Sequence, residues 1–213
     1  MLLVLVVAVS LGWAIHKARE QGIAVAALKE LGCSVTYYNA QRSPTVIERL
    51  RKLLGEDESR TVRGVSGNTS QITDAGLAHL RGLTQLQFLI LDNTQITDAG
   101  MMHLRGLTQL GGLGLDNTQV TDAGLVHLQG LTQLKKLVLS GTKMTDEGLV
   151  HLQGLAKLYY LGLDKTQVTD AGLVHLERLT QLGRLDLRVT PVTDVGVQRL
   201  QKALPNCKVG RNP

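Results

Sequence analysis

The residues of this chain whose spacing first suggests chemistry are five histidines that recur every 24 positions. They are His79, His103, His127, His151 and His175, and Arg199 takes the sixth position of the series. A line of imidazoles suggests a metal site, because neutral imidazole is a common zinc ligand. No cysteine or carboxylate stands in the series, so packing at the surface of a helix is favoured over metal binding.

A second series places Asp92, Asp116 and Asp164 at equivalent positions, with Ser140 where a further acid would stand. A row of carboxylates could hold a cation, but Asp also forms turns by bonding its own backbone. The interruption at Ser140 favours turn residues over a row of cation ligands.

Motifs of the common catalytic sites do not occur in the chain. There is no Gly-x-Ser-x-Gly, no His-Glu-x-x-His, and no glycine-rich loop between a strand and a helix to cradle phosphate. Asp and His recur without Ser, Cys or Glu partners near them. We therefore expect neither an enzymatic activity nor a cofactor.

The constant spacing is itself the main signal. The tetrad Thr-Asp-x-Gly begins at six positions that are always 24 residues apart: Thr73, Thr97, Thr121, Thr145, Thr169 and Thr193. A fixed period of this size is typical of a solenoid.

Each repeat predicts one strand and one short helix. Leu89 and Leu91 fall on one face of an extended segment, because strand side chains alternate. Met101, Leu104 and Leu107 are three apart and share one face of a helix. Neither element can bury its own apolar face, so neighbouring repeats must cover it.

Several recurring positions predict local structure. Thr97, followed by Asp98, is expected to cap the helix N-terminus, and Gly106 is expected to end the helix. Arg178 takes the equivalent position later, which indicates that the left-handed requirement is relaxed there. A column of threonines points inward and is expected to bond the backbone of a neighbouring turn: Thr94, Thr118, Thr142, Thr166 and Thr190, with Ser70 at the start.

The pattern Leu86-x-x-Leu89-x-Leu91-x-x-Thr94-x-Ile96 resembles the leucine-rich-repeat family, with Thr94 where the family usually carries Asn or Cys. The resemblance covers Val62 to about Val209. It implies an α/β fold: a right-handed leucine-rich-repeat solenoid with a strand plus a short helix per repeat and a curved parallel sheet. We assign about six repeats to residues 61–204.

Residues 1–15 carry no charged side chain and are followed by His16, Lys17 and Arg19. The run suits a membrane anchor, a signal-peptide core or a buried helix, and Trp13 beside cationic residues favours a retained single-pass anchor. We expect membrane association through residues 1–15.

Residues 16–60 predict an N-terminal cap of helix, strand and helix. The first helix, residues 16–31, is expected to turn Ile23, Ala27, Leu28 and Leu31 to the core, with Gly32 as its stop. A strand over residues 33–38, a second helix over residues 43–55 and a charged hinge over residues 56–60 follow. Residues 205–213 predict a C-terminal cap strand and tail. Cys33 and Cys207 then lie at opposite ends of the stack, too far apart for a disulfide.

The N-terminal pattern sharpens the resemblance. The segments Leu-Gly-Trp, Ala-Val-Ala-Ala-Leu, Val-Thr-Tyr and Leu-Arg-Lys-Leu-Leu-Gly-Glu-Asp, ahead of the repeats, look like the membrane-anchored leucine-rich-repeat proteins of planctomycete bacteria. Such proteins usually carry Arg-rich residues before the anchor. With Lys17 and Arg19 alone the repeats would stay in the cytoplasm, whereas a basic segment before residue 1 would place them outside. We favour the extracytoplasmic side.

A binding site is expected where the repeats differ. The strand positions that point away from the core include two glycines in the third repeat, and strand glycines often mark a close approach of another chain. We predict a shallow groove on the inner sheet face over this bare glycine backbone, with aromatic anchors and orienting charges. Its residues are Phe88, Ile90, Gly112, Gly114, Lys136, Val138, Tyr160 and Arg184.

The net charge of +5 over 213 residues is modest and shows no basic arm, which argues against nucleic acid. We expect a non-catalytic, membrane-tethered module that binds a protein or peptide, with a monomeric repeat domain. The alternatives are a structural envelope scaffold built by lateral self-association, and a substrate-recruiting subunit resembling the leucine-rich proteins of ubiquitin ligases. The sequence contains no adaptor-binding helical box, which the last alternative would need.

Overall fold

A computed structural model of the chain describes residues 2–38, 61–68 and 71–211, with side chains from residue 16 onward. The side chains of residues 1–15, the predicted second cap helix and hinge (residues 43–60) and Ser70 lie outside the described residues.

The strands form one eight-stranded sheet in chain order. They are β1 (Ser34–Tyr38), β2 (Thr61–Ser66), β3 (Phe88–Ile90), β4 (Gly112–Gly114), β5 (Lys136–Val138), β6 (Tyr160–Gly162), β7 (Arg184–Asp186) and β8 (Lys208–Gly210). β1 runs antiparallel to β2, and every later pairing is parallel. Residues 24 apart face each other, as Phe88 does with Gly112. The repeats are therefore stacked in register.

Helical segments cover one side of the sheet, and those between β2 and β7 are short. The α-helices are α1 (Leu2–Glu30), α2 (Asp98–Met101), α3 (Asp122–Leu125), α4 (Asp146–Leu149) and α5 (Asp194–Ala203). The 3-10 segments are Gly76–Gly82, Met102–Leu104, Val126–Leu128, Val150–Leu152 and Gly172–Leu176. A 3-10 turn has three residues, so it aligns the apolar positions that the sequence spaces by three.

Leucines fill a single continuous core between the sheet and the helical segments. Leu89, Leu137 and Leu161 of the strands and Leu104 and Leu128 of the helical side are fully buried. Burying one such side chain is worth about 1.5–3 kcal/mol. Because each leucine packs against those of adjacent repeats, this stabilisation is available only to the stack.

The N-terminal cap differs in part from its predicted form. α1 continues through the predicted boundary at residue 16 and ends at Glu30. Gly32, just after it, has a φ of 82°, as expected for its role as the helix stop. The buried face carries Ala24, Val25 and Leu28, whereas Ile23 is 64% exposed, so its predicted inward position is wrong. α1 packs on the Gly76–Gly82 segment, and that contact selects the face with the smaller side chains.

Within the described residues, no helix is both long and apolar enough to cross a membrane. Membrane tethering through residues 1–15 stays a prediction.

At the other end, β8 adds the predicted cap strand beside β7, beginning at Lys208. Leu204 and Cys207 before it are buried. Cys33 precedes β1 and Cys207 precedes β8, at opposite ends of the sheet, and no disulfide joins them, as the sequence predicts. Burial raises the pKa of Cys207 to about 11, so this thiol is unreactive at neutral pH.

Candidate functional site

The Thr-Asp-x-Gly tetrad connects each repeat to the next. The Asp98 carboxylate accepts a hydrogen bond from the Thr121 amide at 2.8 Å and another from the Thr121 hydroxyl at 2.6 Å. The same pair of bonds joins Asp74 to Thr97, Asp122 to Thr145, Asp146 to Thr169 and Asp170 to Thr193. We call this series the Asp–Thr ladder.

The threonine of the ladder also caps its own helix, as predicted. The Thr121 hydroxyl accepts from the Ala123 amide at 3.3 Å. The glycine of the tetrad leaves room for the aspartate of the preceding repeat, since a Cβ on Gly124 would collide with Asp98 Oδ1. Gly100, Gly148, Gly172 and Gly196 face their preceding aspartates in the same way. The tetrad thus recurs because its residues from adjacent repeats fit one another.

Gly106 follows its helical segment without a left-handed conformation, in agreement with the relaxed requirement that Arg178 indicates. Among the described glycines only Gly32 and Gly141 have positive φ. A Cβ on Gly106 would meet nothing within 4 Å, which explains why Arg178 is accepted at the same position.

The left-handed conformation occurs instead just after each of the strands β3 to β7. The column comprises Asn93, Asn117, Gly141, Lys165 and Val189, with φ between 52° and 69°. Asn and Gly tolerate this region, but a β-branched residue such as Val189 is strained there.

The inward threonines bond backbone carbonyls, though within their own repeat and not in a neighbouring turn as predicted. Thr94 is 2% exposed and donates to the Leu91 carbonyl three residues earlier at 2.6 Å. Thr118, Thr142, Thr166 and Thr190 make the equivalent bond. These columns build the scaffold.

All eight residues of the predicted groove lie on the sheet face opposite the helical segments. Strand pairing arranges this open face in rows that cross the strands. The first row holds Phe88, Gly112, Lys136, Tyr160 and Arg184. The second row holds Ile90, Gly114, Val138, Gly162 and Asp186.

The glycine strand is covered and not bare, which corrects the prediction. Gly112 and Gly114 are both buried. A Cβ on Gly112 would lie 3.0 Å from the Phe88 ring, and one on Gly114 would lie 2.6 Å from Asp92 Oδ1. The glycines allow neighbouring side chains to lean across β4, and the exposed apolar side chains here are therefore Phe88 and Ile90, 56% and 38% exposed.

Tyr160 is the centre of a charged cluster on the same face. Its hydroxyl donates to Asp186 Oδ2 at 2.8 Å, and Arg184 Nε donates to Asp186 Oδ1 at 3.2 Å. The Lys136 ammonium lies 5.3 Å and the Arg184 guanidinium 5.6 Å from the centre of the Tyr160 ring. Cation–π attraction and hydrogen bonds together fix the orientation of the ring.

The ionisation of this cluster follows from its contacts. Burial, followed by the hydrogen bond to Asp186, raises the pKa of Tyr160 to about 12. Burial alone would raise the pKa of Asp186, but hydrogen bonds from Tyr160 and Arg184 outweigh it and hold that pKa below its usual value. At neutral pH the cluster therefore carries one carboxylate and two cations, an excess of one positive charge. Sequence reasoning missed Asp186, which is 2% exposed; its place two residues after Arg184 was the available signal.

A third row continues the open face at the ends of the strands. Asp92 accepts from the amide of Asp116 and Asp116 accepts from the amide of Ser140, each at 3.0 Å, while Asp164 accepts from the amide of Arg188 at 2.7 Å. These aspartates lie in turns, as predicted, but they bond the backbone of the next repeat and not their own.

Beside this third row lies an open depression of about 410 Å³, lined by Asp116, Asn117, Ser140, Gly141, Asp164, Lys165, Arg188 and Val189. Burial and the Asp92 charge raise the pKa of Asp116. No group of three or more His, Cys, Asp or Glu suited to a metal ion occurs in the part of the chain that the structure describes.

The histidine series contacts polar side chains of the preceding repeat. Arg105 Nε donates to His127 Nδ1 at 2.8 Å, while the Gln129 and Gln153 amides bond His151 and His175. Burial, followed by the charge of Arg105, lowers the pKa of His127, so this imidazole is neutral at pH 7. His127, His151 and His175 thus pack between repeats, as the surface-packing interpretation predicts. Among the described residues the buried Nδ1 of His103 has no hydrogen-bond partner.

Comparison with known proteins gives a local family match and a shared fold. A family model described as a leucine-rich repeat matches residues 130–152. The chain has no significant match among curated proteins.

Two solved structures with a similar fold are internalins from Listeria monocytogenes. The internalin inlF aligns with a TM-score of 0.53 at 24% identity, over 70% of this chain and 47% of that one. The internalin C2 aligns with a TM-score of 0.51 at 23% identity, over 71% of this chain and 81% of that one. The chain thus spans about half the length of the first and four fifths of the second. With the stacked strands and ladders described above, these matches show that the chain has the leucine-rich-repeat fold.

Proposed function

We propose that this chain is a non-catalytic binding module that holds a protein or peptide on the open sheet face. The observation that carries the proposal is an exposed apolar pair, Phe88 and Ile90, beside the oriented Tyr160 cluster. Aromatic and Arg side chains dominate the energetics of protein interfaces. Internalins with the same fold support the choice of a repeat surface, at the level of the fold alone.

The charges of the open face specify the chemistry of the partner. Lys136 lies on the second strand after Phe88, about 10 Å away at a strand spacing near 4.8 Å. Its ammonium contacts the ring of Tyr160, a neutral neighbour. A segment with an apolar side chain over Phe88 and a carboxylate about 10 Å further along would therefore contact the Phe88 ring and pair with the Lys136 ammonium.

Combined replacement of Phe88, Lys136 and Tyr160 by Ala tests this assignment. Capture of the partner should be lost while circular dichroism stays unchanged, because all three side chains lie outside the leucine core. Thr132→Ala, an exposed position outside the open face, is the matched control and should retain capture. Equal capture by the triple variant and the control would rule out the open face as the binding surface.

The proposal includes a membrane tether, following the resemblance to the anchored leucine-rich-repeat proteins of planctomycete bacteria. Its support is the uncharged run of residues 1–15 ahead of Lys17 and Arg19. The full chain should stay with membranes after alkaline carbonate extraction, whereas a variant with Val6→Lys and Val9→Lys should be released. Extraction of both, or retention of both, contradicts the tether.

We also propose that the repeats lie on the extracytoplasmic side. Protease added to intact spheroplasts should then remove the repeats, and protection until the membrane is opened would place them in the cytoplasm.

A further inference from the structure

An exposed apolar column runs along the helical face of the stack. It consists of Met102, Val126, Val150 and Val174, which are 47%, 38%, 44% and 39% exposed. These residues are 24 positions apart, one in each of four consecutive repeats. They lie on the side of the molecule opposite the open sheet face, so the proposed partner does not cover them.

A polar column lies directly beside the apolar one. Its members follow the apolar residues by three positions, which places them on the same helical side. They are Arg105, Gln129, Gln153 and Glu177, so the column changes from positive at one end, through neutral amides, to negative at the other.

We propose that the apolar column binds a second copy of this chain, packed antiparallel. Reversing one copy places its Val174 on Met102 and its Val150 on Val126, and it brings its Glu177 opposite Arg105. The two glutamines then face each other in the middle. One patch on both copies is the arrangement of a two-fold dimer.

Two features of the columns favour a second copy in this orientation. A second copy repeats its side chains at the same spacing, so all four apolar contacts form in one register. A parallel arrangement with the apolar columns in contact would place the two polar columns on opposite sides of the seam, so that no Arg105 would meet a Glu177 and the opposite charges would stay unpaired. Charge therefore selects the antiparallel arrangement.

The existing bonds of the two charged residues are compatible with this contact. Arg105 uses Nε toward His127, which is one of the five N–H donors of its guanidinium. Glu177 uses Oε1 in an ion pair of 3.4 Å with Arg199, and its second oxygen can accept from another chain.

The area of the contact sets its strength. Four partly exposed side chains amount to much less than the ~800 Å² per partner that a stable complex buries. We expect a weak dimer that forms at high concentration or when copies are confined to one surface. This differs from the monomeric repeat domain that the sequence suggested.

Disulfide trapping between two differently tagged full-length chains tests the orientation. One chain carries Met102→Cys and the other Val174→Cys, mixed in a mild detergent with a copper oxidant. The antiparallel dimer brings these two positions together and should yield a linked heterodimer. Met102→Cys alone should give no linked dimer, because its two copies would be three strand spacings, about 14 Å, apart.

Controls separate this contact from other association. Phe88→Cys mixed with Val174→Cys should not link, and the wild-type chain measures the background from the buried Cys33 and Cys207. A higher yield of linked dimer from Met102→Cys alone than from the mixed pair would show parallel packing and overturn the proposal. The absence of a linked dimer in the mixture would overturn it as well.

Charge reversal provides an independent test in the mixed-cysteine background. Arg105→Glu or Glu177→Arg alone should reduce the yield of linked dimer, and the double reversal should restore it, since the pair is re-formed with opposite signs. Circular dichroism checks that loss of the His127 and Arg199 contacts leaves the fold intact. A double reversal that links no better than either single variant would overturn the pairing.

Discussion

Replacement of Gly124 by Ala isolates the contribution of the Asp–Thr ladder. Gly124 lies in α3, where an alanine would ordinarily stabilise the helix by about 1 kcal/mol. Here the new Cβ would collide with Asp98 Oδ1 and come within 3.1–3.2 Å of Val120 and Met101 side-chain carbons. The collision would lower the free energy of unfolding, whereas the helix propensity of alanine would raise it.

The magnitude follows from the bonds that Asp98 must give up. Its carboxylate accepts two hydrogen bonds from Thr121, and a hydrogen bond to a charged group is worth about 1.5–3 kcal/mol. Partial rotation of the carboxylate recovers some of this, and helix propensity returns about 1 kcal/mol. We expect Gly124→Ala to lower the free energy of unfolding by about 2–4 kcal/mol, because one carboxylate serves two repeats.

The assay is urea unfolding followed by circular dichroism, with Gly130→Ala as the matched control in the same repeat. A Cβ on Gly130 would meet nothing within 4 Å, so the control should be neutral or more stable by up to about 1 kcal/mol. Asp98→Ala removes the oxygen with which the new Cβ would collide. In that background, Gly124→Ala should change the free energy of unfolding little. A Gly124→Ala chain as stable as Gly130→Ala would refute the ladder as a source of stability.

Three further changes test other parts of the structure. Val189→Asn should raise the free energy of unfolding by about 1 kcal/mol, because a β-branched residue is strained at the φ of 59° and its side chain is 62% exposed; a lower melting temperature would contradict this. Thr118→Val should cost about 1 kcal/mol, since the Leu115 carbonyl loses its buried donor, and unchanged urea unfolding would show that the hydroxyl is dispensable. Tyr160 should ionise near pH 12, so the stability it contributes is complete below pH 10 and is lost as the pH rises from 10 to 12. The difference between the ultraviolet titrations of the wild type and Tyr160→Phe measures the ionisation of Tyr160. Asp186→Asn should lower the midpoint of that ionisation, and a midpoint near pH 10 in the wild type would contradict the cluster.

The 24-residue period was enough to predict the fold, because each repeat carries the same physical requirement. Leu89 belongs to the alternating pattern of a strand, and Leu104 belongs to the three-residue spacing of a helical turn. The structure buries both side chains. Thr97 was recognised as a cap from its type and place. The partner of Asp98 was not recognised, since a bond to Thr121 joins two repeats and a single repeat cannot show it.

Errors arose where glycine has more than one physical role. Gly106 predicts a helix end, whereas the left-handed residues lie after the strands and include Lys165 and Val189, whose types give no such signal. Gly112 suggested exposed backbone, while its missing Cβ is the space into which Phe88 leans. Which role applies depends on the neighbouring repeat, and that is a property of the stack.

The position of the open face was predictable, since strand alternation places Phe88 and Tyr160 opposite the leucines. The charged cluster could not be predicted from the sequence, because the bond between Tyr160 and Asp186 joins two rows on adjacent strands. The apolar column of the helical face was missed because Val126 follows a buried Leu125, and such a pair is easily assigned to the core as a whole.

Site-specific photocrosslinking tests most directly whether the open sheet face is the binding surface. A photoreactive phenylalanine derivative replaces Phe88 in one chain and Thr132 in another, both made in cells that carry the partner, and the mass of each adduct is measured. Phe88 should yield a discrete adduct with a different protein, lost when Lys136 and Tyr160 are also changed to Ala, while Thr132 yields none. No adduct from Phe88, or the same adduct from Thr132, would contradict a binding role for this face.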